Sequence, residues 1–206
     1  MGLDNRGRQY ISNSFDDLLR LVGLLKDQTT SWIEDMVEVI AAAFRGHHRL
    51  FVFGNGGSAA DAQHFAAELV NRFELKRPPL PAIALTTDTS ILTSISNDDN
   101  FDMVFVRQLS ALAEQGDVAF GISTSGKSPN VVKALRWARE HGLHTFGLSG
   151  KDTTEMDVYC DRIIHVPSDS TPRIQECHIL LIHIICGLIE RKLFMDRTHG
   201  MDTTEP

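Results

Sequence analysis

With 206 residues, 42% of them apolar and 23% charged, the chain can bury the core of one sizeable domain, with or without an appendage. Its net charge of −7, from 20 basic and 27 acidic residues, argues against nucleic-acid or lipid binding driven by overall charge. No run approaches the roughly 20 apolar residues of a membrane-spanning helix. Met1 to Arg6 lacks the basic start and apolar core of a signal peptide, so a cytoplasmic chain without a membrane partner is expected. Cys160, Cys177 and Cys186 are odd in number and show no Cys-x-x-Cys spacing, which predicts free, buried thiols in a reducing compartment.

Residues 8–47 carry two apolar stripes at helical spacing. Phe15, Leu18, Leu19, Val22 and Leu25 form the first; Trp32, Met36, Ile40, Ala43 and Phe44 form the second. Thr29 to Ser31 are cap-type residues, so two helices are expected to meet there. So much helix before the first strand exceeds sheet cover, and 1–48 is expected to be an oligomerisation arm.

From Leu50 onward the pattern changes. Short apolar runs at 50–54, 81–86, 117–123, 143–148 and 162–166 read as strands. Helical patterns lie between them near 57–71, 88–96, 101–114 and 128–141, with a final helix at 171–194. This alternation predicts an α/β fold over 49–194, with a five-stranded, mostly parallel sheet flanked by helices. The polar, aperiodic tail at 195–206 is expected to fray.

Ligands of open α/β sheets bind beyond the carboxyl ends of the strands, so the residues following each strand carry most information. Gly54-Asn55-Gly56-Gly57-Ser58 closes the first strand and opens an Ala-rich helix, an order in which backbone N–H groups can receive an anion. Gly54-x-Gly56-x-x-Ala59 formally matches the dinucleotide fingerprint. No acidic residue closes the next strand, so NAD is not expected. Two turns on, His64 and Glu68 are four apart on one helix face, as an acid/base or a metal pair.

Ser123-Thr124-Ser125-Gly126-Lys127-Ser128 follows the third strand and precedes a helix opened by Pro129. Four hydroxyls beside helix-start amides suit a phosphomonoester, whereas a plain helix cap needs only one hydroxyl. The segment is not a Walker loop, because GxxxxGK[ST] is absent. On the last helix Gln175 and His183 are eight apart and share a face. His183 lies in the apolar stretch ILLIHIICGLI, where an isolated histidine reads more simply as core. His178 is left between core and a supporting role. Asn97-Asp98 reads as turn chemistry, or as part of the same rim.

Together, GNGGSAADAQHFAAEL at 54–69, PAIALTTDTSILTSISND at 81–98, GDVAFGISTSGKSPNVVKAL at 116–135 and RIQECHILLIH at 173–183 resemble the sugar isomerase (SIS) domain family. Within it they are most similar to the phosphoheptose isomerases, from about Leu50 to Phe194. The resemblance implies a flavodoxin-like doubly wound fold acting on a phosphorylated seven-carbon sugar, sedoheptulose 7-phosphate. It implies substrate contacts from Asn55, Gly56, Gly57 and Ser58, from Asn97 and Asp98, and phosphate contacts from Ser123, Thr124, Ser125 and Ser128. It further implies zinc on His64, Glu68, Gln175 and His183. Glu68 is then the base, His183 its acid/base partner, and Gln175 a substrate contact as well. A homotetramer with centrally packed N-terminal helices, and a role in heptose synthesis for lipopolysaccharide or surface glycans, also follow from the likeness. Two positions depart from the family pattern: Pro172 stands where Ala or Asp is more usual, and Lys127 where Asn is usual.

The residues suit the implied chemistry. Moving a carbonyl between two carbons needs a base, an acid and a cation to stabilise the enediolate. Two other readings share the phosphate loops: a non-catalytic SIS protein that binds the replication initiator DnaA, and a phosphosugar sensor. Glu68 and His183 favour the enzyme over the first, which typically lacks both; turnover distinguishes it from the second.

Overall fold

The computed structural model describes residues 4–195. The chain begins with one helix, α1 (Asn5–Arg45), in place of the two expected over 8–47. The cap-type residues do not interrupt it, because their hydroxyls bond back along the helix: Thr29 Oγ1 donates to Leu25 O at 2.8 Å and Thr30 Oγ1 to Lys26 O at 3.1 Å. The buried stripe also differs from the expected one. Leu21, Leu25, Ile33, Met36, Val37 and Ile40 face the core, while Phe15, Leu19 and Trp32 are exposed.

Then follow β1 (Leu50–Gly54), α2 (Gly57–Val70), β2 (Ala82–Ala84), α3 (Thr89–Asp98), a 3-10 turn at Phe101–Met103 and α4 (Val104–Leu112). The second half contributes β3 (Val118–Ser123), α5 (Pro129–Glu140), β4 (His144–Ser149), α6 (Glu155–Tyr159), β5 (Arg162–His165) and α7 (Thr171–Phe194). The single helix expected at 101–114 is broken at its start, where the Asn100 side chain takes the Asp102 N–H at 2.9 Å. The short α6 was not anticipated; Thr154 and Asp157 form a reciprocal capping box around it. Of the tail expected at 195–206, all but Met195 lies outside the described residues.

The strands form one parallel sheet in the order β2-β1-β3-β4-β5. The chain leaves β1 toward one edge and returns on its other side, so strand order reverses between β1 and β3. That reversal opens a crevice at their carboxyl ends, which the register aligns by pairing Gly54 with Ile122. Strand alternation divides the core. Leu50, Val52, Val118, Phe120 and Ile122 pack toward α1, α2 and α7, whereas Phe51, Phe53 and Ala119 pack toward α4 and α5. Both sheet faces are covered, as expected of short, uninterrupted apolar strands. All three cysteines are free and buried. Among the described residues no helix is long and apolar enough to cross a membrane.

Candidate active site

Two turns meet at the crevice between β1 and β3. The first requires glycine twice. A β-carbon at Gly54 would stand 2.7 Å from Ile122 O, and Gly56 has φ +56°. No side chain caps α2, so its first-turn N–H groups are those an anion can meet. Ser58 is buried beneath this turn. The Asn55 side chain is engaged by Asn130 in a reciprocal amide pair, at 2.8 and 2.9 Å.

The second turn, after β3, gathers hydroxyls. Ser123 Oγ lies 3.0 Å from Ser128 Oγ and 3.4 Å from Ser125 Oγ, and Lys127 N donates to Ser125 Oγ at 3.2 Å. Ser128 occupies the N-cap position of α5, yet its side chain caps nothing. Its hydroxyl joins the cluster instead, which a plain capping role does not explain. Thr124, Ser125 and Lys127 line a polar cavity of about 200 Å3 closed by Gly150, Lys151 and Asp169.

α2 and α7 bring the remaining groups together. His64 Nε2 stands 2.9 Å from His183 Nε2 and 3.2 Å from Glu68 Oε1. His183 is therefore no core histidine: it crosses to α2, with Phe73 stacked on its ring at 5.5 Å and 27°. Gln175 lies against the first turn, where a β-carbon on Gly57 would collide with its amide. His178 is instead the core histidine of α7, fully buried, with Nε2 3.2 Å from Ser149 O. Asn97 and Asp98 are exposed at the end of α3, and Asn97 donates to Asp98 at 2.8 Å. No contact joins them to the His64–His183 cluster among the described residues.

Asp61 sits one turn before His64 with its Oδ2 buried and without a hydrogen-bond partner among the described residues. Burial raises its carboxyl to about 6, and His64 nearby pulls it back down. Among the described residues no three His, Cys, Asp or Glu side chains stand as a ready metal site. His64, Glu68 and His183 nonetheless offer two imidazole nitrogens and a carboxylate, a donor set that zinc accepts.

Asn130, Phe73, Arg77 and Glu190 escaped the sequence reading. Glu190 lies in α7 before Arg191 and Lys192, where charge reads as a solvated face. In the fold it is 1% exposed.

Residues 14–150 match the family model of the SIS domain. The phosphoheptose isomerase of Trichlorobacter lovleyi is 50% identical over 187 residues, which is 91% of this chain and 95% of that one. The chain belongs to the SIS-domain family, among its phosphoheptose isomerases. Two solved structures carry the likeness into three dimensions. The phosphoheptose isomerase of Neisseria gonorrhoeae is 40% identical with a TM-score of 0.84, covering 89% of this chain and 98% of its own. That of Francisella tularensis is 31% identical with a TM-score of 0.86, covering 90% and 98%. As a phosphoheptose isomerase family member the chain is an enzyme, an isomerase.

Proposed function

We propose that the chain converts sedoheptulose 7-phosphate to D-glycero-D-manno-heptose 7-phosphate through an enediolate. One observation carries the reading: Glu68, His64 and His183 converge from two helices, in a chain whose turn after β3 gathers hydroxyls that cap no helix. A phosphate held at Ser123–Ser128 anchors the sugar far from the reacting carbons, which limits the approach of its carbonyl end. Glu68 takes the proton from the carbon beside the carbonyl. His183 moves a proton between the two oxygens, its ring held by Phe73. Amides of Asn55 to Ser58 and the side chain of Gln175 orient the open end, and Asn97 and Asp98 contact the sugar.

Zinc on His64, Glu68, Gln175 and His183 belongs to the same reading. Two imidazole nitrogens 2.9 Å apart cannot both present lone pairs, so a proton or a cation must offset them. When bound, zinc supplies Lewis-acid stabilisation of the enediolate charge.

A homotetramer is also proposed. The exposed Phe15 and Leu19 of α1 continue into an apolar groove of about 460 Å3 lined by Leu25, Ile33, Leu180 and Ile184, a surface that a second copy would cover. We place the enzyme in the cytoplasm, supplying heptose for lipopolysaccharide or other surface glycans.

Incubating the chain with sedoheptulose 7-phosphate and following the sugar by NMR tests the reaction. The aldose phosphate is expected to appear, and unchanged substrate would reject the assignment. His183→Ala should lose both turnover and zinc by elemental analysis; undiminished zinc would remove His183 from the metal set.

A further inference from the structure

We propose that His165, at the end of β5, is a positioning residue for the phosphate-binding turn. The inference rests on the reading that Ser123–Ser128 receives the substrate phosphate. His165 Nδ1 lies 2.8 Å from Gly150 O, and Nε2 lies 2.8 Å from Asp157 Oδ1. The ring thus bridges a backbone carbonyl and a carboxylate, both hydrogen-bond acceptors.

Both groups that the ring holds are struts of the phosphate turn. Asp157 Oδ2 accepts the Thr154 N–H at 2.7 Å, and Thr154 Oγ1 accepts the Met156 N–H at 3.3 Å, so Asp157 fixes the start of α6. Thr154 in turn backs the phosphate loop. A β-carbon at Gly126, whose φ is +64°, would stand 2.5 Å from Thr154 Oγ1 and 2.7 Å from Ser149 Oγ. On the other side, a β-carbon at Gly150 would collide with the Thr124 carbonyl. Thr124 and Gly126 thus rest on Gly150 and Thr154, and His165 binds the two supports to each other from behind.

Asp157 is the charged group that α6 sets against the ring. On the β4 side, Lys151 is paired with Asp169 at 2.6 Å and Asp152 is exposed, while α7 meets that turn through apolar Ile174. Without the ring the two supports are no longer joined, so the phosphate grip weakens while Glu68 on α2 and His183 on α7 keep their places.

The test combines steady-state kinetics on sedoheptulose 7-phosphate with calorimetric titration of inorganic phosphate. It runs at about pH 8, above the second phosphate ionisation near 6. His165→Gln should raise KM roughly 5- to 10-fold while kcat stays within about twofold. His165→Arg keeps donors for both acceptors, so its KM should remain within about threefold of the wild-type value. A Gln variant with wild-type KM, an Arg variant as impaired as the Gln variant, or a change confined to kcat would each overturn the proposal. Should the Gln variant fail to fold by circular dichroism, the Arg variant decides: a KM within about threefold of wild type supports the proposal, and a larger rise overturns it. If the wild type does not turn the sugar over, the functional reading fails separately. Phosphate affinity then decides for His165: weaker in the Gln variant supports it, and equal affinities overturn it.

Discussion

Arg77 Nε meets Glu190 Oε1 at 2.9 Å with both side chains 1% exposed. Glu190 also accepts the N–H groups of Phe73, Glu74 and Leu75 at 2.8, 2.9 and 2.8 Å, and Arg77 reaches the Glu68 carbonyl at 2.9 Å. One buried ion pair thus fixes the loop after α2, seats Phe73 on His183 and touches the backbone of the proposed base.

Burial alone would push the Glu190 carboxyl up, but three N–H groups and the Arg77 guanidinium outweigh it and hold it below the usual range. The folded state therefore keeps Glu190 ionised where the unfolded chain protonates it. The stabilisation is complete above the unfolded value of about 4.3 and is lost as pH falls through the folded one. Glu190→Ala leaves Arg77 buried and unpaired, and should cost about 3–5 kcal/mol in urea unfolding at neutral pH. A loss within about 0.5 kcal/mol would show the pair to be dispensable.

The hydroxyl cluster predicts a separation of KM from kcat. Ser128→Ala removes a donor to a charged group, worth about 1.5–3 kcal/mol, so KM for the sugar phosphate should rise roughly 10- to 100-fold with little change in kcat. Lys127→Asn should raise KM a few-fold and reduce its dependence on ionic strength. Unchanged KM in both variants would take the phosphate out of this turn.

His178 gives a separate dependence on acid. Burial lowers its imidazole to about 4, against the opposing bond to the Ser149 carbonyl. A depressed value means that stability is complete above the unfolded value of about 6.5 and declines as pH falls toward 4. The decline is about 3 kcal/mol in all. His178→Leu should flatten that part of the stability curve; an unaltered acid limb would assign the loss elsewhere.

Phe15→Asp combined with Leu19→Asp should dissociate the proposed tetramer in sedimentation velocity without unfolding the chain, because both side chains are exposed in the single subunit. An intact tetramer would place the interface away from this part of α1.

The sheet was legible because each strand is a short apolar run bounded by a turn, and period and punctuation agreed at every one. The last helix was legible to its end residues. Residues 8–47 were not: a threonine can cap a helix or bond back within it, and local sequence does not choose. In the site, residues following strands could be read from topology, which explains Gly56, Gly57 and the serines. The approach of His64 to His183 spans 119 positions in sequence, and only a family likeness put them together. Glu190, Arg77 and Asn130 escaped because each has its partner on another element, and charge near a helix end ordinarily means solvent.

The central claim is that Glu68 is the base opposite His183. The most direct measurement is turnover of sedoheptulose 7-phosphate by Glu68→Gln beside the wild type, with substrate affinity measured on both. Turnover should fall roughly 100- to 10,000-fold while affinity remains near normal. Wild-type turnover in the Gln variant would contradict the assignment.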